Sequence, residues 1–171
     1  MKNSVVDETA NNFLKYKLYK KWTFWAHLPH DTDWSENSYK KIMDVGYIDE
    51  ILKLYETIPE KMIKNCMLFI MKKDIKPIWE DEANKNGGCF SYKINNKSVI
   101  NVWKNLTYSL LGEDISDDDV LRENINGVTI SPKKNFCVIK IWLKTCDYEK
   151  PDIINQNIGL NSQGCIFKKH L

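Results

Sequence analysis

A chain of 171 residues, 43% hydrophobic and 28% charged, has the size and composition of one globular domain and buries enough apolar surface to fold without disulfides or a structural metal. Lys plus Arg number 25 against 23 Asp plus Glu, a net charge of +2. This excludes a protein that coats nucleic acid through many phosphate neutralisations and leaves room only for a small, local contact.

Residues 1–12, Asn-rich and without an apolar stretch, are expected to form a flexible N-terminal tail, with residues 13–171 as a single domain. The opening residues carry no export signal, and no run of eighteen apolar residues suggests a membrane span. The five cysteines are scattered with no C-x-x-C pair, so they read as reduced thiols in a cytoplasmic protein.

Short segments rich in β-branched and aromatic residues then follow: YKKWTFWA, SYKKIMDV, CMLFIMKK, CFSYKI, GVTIS and FCVIKIWL. Between them, Ile48, Ile51, Leu52 and Tyr55 mark a short amphipathic helix ending before Pro59. Val99, Val102, Trp103, Leu106 and Leu110 mark a longer one, with Ser98 as its N-cap and Gly112 as its stop. The order strand, strand, helix, strand, strand, helix, strand, strand predicts an α+β fold, an antiparallel sheet with helices on one face. In VIKIW the period of two puts Val138, Lys140 and Trp142 on one face and Ile139 and Ile141 on the other. The aliphatic face should meet the helices and the mixed face a ligand. After Trp142 the chain has room for one helical turn and a closing strand, CIFKKH.

In PIWEDEANKNGGCF an indole stands beside a carboxylate. An ionised carboxylate only accepts hydrogen bonds and an indole has an electron-rich face. Together they suit a flat cation with two N–H donors on one edge, as 7-methylguanine is. Other patterns are weaker. EDISDDD lacks the alternating order of a calcium loop and reads as a solvated loop. HLPH is a poor helix and a weak metal site, and Gly87 and Gly88 read as a turn between strands. Trp22, Trp25 and Trp103 read as core, and no Ser/His/Asp or Cys/His constellation stands out.

KWTFWAH, DWSENSYKKI, PIWEDEANKNGG, VWKNLTYSLLGE and INGVTISPKKNFCVIKIW resemble successive blocks of the eukaryotic translation initiation factor 4E family, the messenger RNA cap-binding proteins. The resemblance implies a curved antiparallel sheet backed by helices on its convex face, with the cap held on the concave face, and neither catalysis nor a cofactor or metal. It implies that Trp34 and Trp79 sandwich the base, that Glu80 pairs with its Watson–Crick edge, and that Trp142 approaches the methyl group. Of the family's phosphate contacts only Lys133 aligns, since Cys89, Asn135 and Val138 stand where basic residues are usual. Lys134, Lys140 and Lys93 are the candidates to compensate. The family's groove for a scaffold or repressor peptide falls on Leu52, Lys104, Asn105 and Tyr108, which implies a non-standard partner beside capped mRNA. Two alternatives remain at this point: a cap-binding repressor or decoy, and a metal-dependent cap hydrolase using Glu80, Asp81 and Glu82.

Overall fold

The computed structural model describes residues 16–170; the expected tail lies outside them. Seven strands form one sheet: β1 Lys17–His27, β2 Tyr39–Tyr47, β3 Met67–Lys72, β4 Gly88–Asn95, β5 Ile125–Pro132, β6 Phe136–Leu143 and β7 Ile166–Lys169. Their order is β2-β1-β3-β5-β6-β4-β7, and every neighbouring pair is antiparallel. Four α-helices accompany them: α1 Ile48–Thr57, α2 Glu60–Asn65, α3 Val99–Leu111 and α4 Asp119–Asn124. This is the predicted curved α+β sheet, with two further short helices.

Side-chain alternation divides the sheet into two unlike faces. Phe24, Leu68, Ile70, Phe90, Ile139 and Ile141 turn toward the helices and join Trp22 and, from α3, Trp103 and Leu106, in the main core. The opposite face carries a second, smaller apolar cluster of Phe69, Met71 and Trp142, flanked by Trp25, Tyr39 and Trp79. Trp22 and Trp103 are core residues as expected. Trp25 departs from that expectation: β1 alternation turns it to the second face, where it is half-buried beside Trp142's cluster.

Local chemistry sets several boundaries. Glu50 starts α1 by accepting from the backbone N–H groups of Gly46 (2.6 Å) and Tyr47 (3.0 Å), filling two donors that would otherwise lack partners. Ser98 does not cap α3 with its side chain; its hydroxyl donates back to the Asn95 carbonyl. Gly112 does end α3, yet the left-handed residue there is Glu113, at φ 59°. EDISDDD is more than a solvated loop. Ile115 and Ser116 are buried, and Asp118 caps α4 by accepting from Leu121 N–H at 2.8 Å.

The Gly-Gly pair lies at the exit of a turn rather than within it: Gly87 N–H closes the turn by donating to the Asn84 carbonyl at 2.9 Å, and Gly88 is the first residue of β4. A Cβ on Gly87 would lie 1.8 Å from the Leu143 carbonyl oxygen, and one on Gly88 2.7 Å from the Phe167 ring. Close approach of β6 and β7 explains both glycines. The chain after Trp142 makes two 3-10 turns, Pro151–Ile153 and Gln156–Ile158, where one helical turn was expected. The closing strand is present as β7 on the β4 edge.

Candidate functional site

The loop between β3 and β4 carries the indole-carboxylate pair and is held by its own polar residues. The Asp81 carboxylate accepts from the backbone N–H groups of Lys76 and Ala83, both at 2.9 Å. Fully buried Asn84 donates to the carbonyls of Lys76 (3.0 Å) and Ile78 (2.9 Å), while Asn126 from β5 donates to Ala83 O and Asn84 Oδ1. Three polar side chains therefore fix the loop, and a satisfied buried network holds one conformation. Trp79 is left half-buried and Glu80 exposed.

On the second face of the sheet Trp34, Trp79, Glu80, Trp142, Lys133 and Lys140 line one cavity of about 410 Å³, a volume suited to a small ligand. Tyr39 and Phe69 are part of its wall. Trp142 is 3% exposed, and its Nε1–H donates to Thr129 Oγ1 at 2.7 Å, which fixes the indole in the floor. Trp34, by contrast, is 58% exposed on the loop after β1 and lies flat on His27, with centroids 4.1 Å apart and planes 5° apart.

Trp79 is stacked as well. His170, directly after β7, lies 5.7 Å from it at 13°, and 4.9 Å from Trp142 at 54°. His170 Nδ1–H donates to the Asn84 carbonyl at 2.9 Å, and Nε2 is buried without a partner. That arrangement suits the neutral ring. Burial, with the Lys140 and Lys168 ammoniums nearby, holds its pKa below the ordinary value of 6.5 against the opposing pull of the Asn84 bond. Lys140 Nζ stands 5.5 Å and Lys168 Nζ 5.2 Å from the Trp79 centroid, so two cations flank the indole. Glu80 makes itself felt on Tyr39, whose phenol is raised above its usual value by burial first and by the Glu80 charge second.

The other predicted lysines do not reach the cavity. Lys93 shares the face of Lys140, since it pairs across from Val138, but its ammonium sits 4.4 Å over Phe136. Lys134 is exposed in the β5–β6 turn and is not part of the lining. Lys168 was missed. It stands directly across from Cys89, so β7 supplies a cation beside the buried thiol. Only the alternation of CIFKKH, combined with its pairing to β4, would have found it. The carboxylates required by the hydrolase alternative do not converge: Asp81 is engaged by backbone and Glu82 by Lys85 at 2.6 Å. His30 is exposed in a left-handed turn, away from the stacked His27.

Residues 17–169 match the sequence model of the family described as Eukaryotic initiation factor 4E. The chain belongs to that family. It is 28% identical to the eukaryotic translation initiation factor 4E of Candida albicans over 91% of its own length and 77% of the relative's, and 28% identical to that of Saccharomyces cerevisiae over 85% and 70%. In fold it is similar to a Schistosome eIF4E solved with m7GpppG and 4E-BP (TM-score 0.71, 21% identity, 78% and 74% of the two chains). It is likewise similar to Caenorhabditis elegans eIF4E-3 solved with the 4E-binding protein Mextli and a cap analogue (TM-score 0.71, 21% identity, 85% and 82%).

On this member of the 4E family the helical face is built around Tyr55. Its hydroxyl lies 2.6 Å from Thr107 Oγ1, its ring meets Tyr108 edge-on at 5.7 Å, and Lys104 Nζ stands 5.8 Å from it. Tyr55 thereby joins α1 to α3 and brings Leu52, one turn earlier on α1, onto the surface that Lys104 and Tyr108 share. Leu52 and Tyr108 are 37% and 41% exposed, and Asn105 is exposed beside them. Among the described residues no helix is long and apolar enough to cross a membrane.

Proposed function

We propose that the protein binds the 7-methylguanosine cap of messenger RNA and acts in translation initiation in the cytoplasm. The observation that carries this reading is the convergence of Trp34, Trp79, Glu80 and Trp142 on one cavity with lysines at its rim. The methylated base enters between Trp34 and Trp79. Stacking contributes about 1–3 kcal/mol per base, and the positive charge over an indole adds about 0.5–2 kcal/mol. Neutral guanine loses the second contribution, so charge selects methylation. Glu80 accepts the two donors of the guanine edge in a charge-assisted fork that adenine cannot offer. Trp142 closes the floor against the methyl group. Lys133, Lys140 and Lys168 hold the triphosphate, while Lys93 and Lys134 are left for the RNA beyond it. The exposed Leu52 and Tyr108, with Lys104 and Asn105, take an amphipathic helical segment of a scaffold or repressor protein.

The test is fluorescence titration with methylated and unmethylated cap analogues, since tryptophan quenching reports stacking directly. Wild type should prefer the methylated form, and Glu80→Gln should lose most binding of both. Equal affinity of wild type for the two analogues rejects the reading.

A further inference from the structure

We propose that His27 is a positioning residue that holds Trp34 ready for the cap, an inference that rests on the cap-binding reading above. His27 is the last residue of β1, paired on both sides, to Tyr39 of β2 and Met67 of β3, and is 3% exposed. Tyr39 meets its ring edge-on at 5.3 Å. The imidazole is thus a fixed plate on the sheet. Trp34 is the opposite case, a large side chain 58% exposed on a loop. Among the described residues His27 is the ring it stacks on, nearly parallel.

A second contact ties the same two partners. His27 Nε2 lies 2.9 Å from the carbonyl oxygen of Asp33, the residue directly before Trp34. A carbonyl only accepts, so Nε2–H donates, and the bond sets the backbone that aims the indole. Asp33 in turn accepts from the N–H and hydroxyl of Ser35, which closes the loop around Trp34. His27 does not line the cavity whereas Trp34 does. One indole face is therefore covered by protein and the other is open to a ligand. Ordering a free aromatic side chain on binding weakens affinity by roughly 2- to 13-fold; a preformed stack removes that loss.

The experiment titrates 7-methyl-GTP against wild type, His27→Leu, His27→Phe, Trp34→Ala and the Trp34→Ala/His27→Leu double variant, each checked for folding by thermal denaturation. Leucine keeps bulk without a flat face; phenylalanine keeps the face. His27→Leu, which loses both the flat face and the Asp33 bond, should bind about 2- to 13-fold more weakly; His27→Phe, which loses the bond but keeps the face, should fall between it and wild type, and the leucine effect should vanish when Trp34 is absent. Equal affinities for the leucine and phenylalanine variants, or a leucine loss that persists without Trp34, overturn the inference and leave cap binding standing. Unchanged binding in Trp34→Ala overturns the sandwich and this inference together.

Discussion

Replacing Lys140 and Lys168 with methionine should separate the two halves of the ligand. Each ammonium stands 5.2–5.5 Å from the Trp79 ring, close enough to meet a phosphate chain leaving a base stacked there. A charge-assisted hydrogen bond contributes about 1.5–3 kcal/mol when shielded. Lys140 is half-buried and Lys168 exposed, so screening reduces this to about 1–2 kcal/mol each, or about 5- to 30-fold in affinity for 7-methyl-GTP. The phosphate-free control behaves differently. In 7-methylguanosine the only formal charge is the cationic base, which feels repulsion of about 0.7 kcal/mol from an ammonium about 6 Å away in water. The nucleoside should therefore bind the methionine variants equally well or up to about threefold better. Isothermal titration with nucleotide and nucleoside side by side reads the contrast. A parallel loss for both would refute the assignment of these lysines to phosphate.

Thr129→Val keeps the size of a fully buried residue but removes the acceptor of the Trp142 N–H. It should cost about 1–3 kcal/mol of stability by urea denaturation, and an unchanged midpoint would show that the bond carries no weight. His170 has a folded-state pKa depressed below 6.5, so the unfolded chain takes up its proton first as the medium is acidified. Its stabilisation is present above pH 6.5 and declines below it, by at most about 1.4 kcal/mol per pH unit. Denaturation at pH 7.5 and 5.5 should show that decline in wild type and little of it in His170→Phe; equal slopes would contradict the assignment. Leu52→Asp with Tyr108→Asp should leave cap-analogue affinity within about twofold and abolish proteins captured on cap resin from a cell lysate. Undiminished capture would remove the helical face as the docking surface.

The two faces of the sheet were legible because alternation is local. VIKIW alone divided Ile139 and Ile141 from Lys140 and Trp142, and the structure keeps that division. Parity, however, gives the face and not the position along the strand. Lys93 lies four residues beyond Cys89 on β4, about 13 Å further at strand spacing, which is why it shares the face of Lys140 without reaching the cavity. The contacts of His27, Lys168 and His170 were not legible, because each depends on a non-local return of the chain. A loop folds Trp34 back over β1, and β7 pairs with β4 from about seventy-five or more positions away, as in Ser91 with Ile166 and Cys89 with Lys168. EDISDDD was misread for the opposite reason: its charge dominated the reading, while Ile115 and the capping role of Asp118 decided the structure.

The most direct test of the central claim is a crystal structure of the protein with 7-methyl-GTP. The account predicts the purine ring lying flat between the indoles of Trp34 and Trp79, its Watson–Crick edge on the Glu80 carboxylate and its methyl group toward Trp142. A nucleotide seated elsewhere, or a base in the cavity contacting neither indole face, would contradict it.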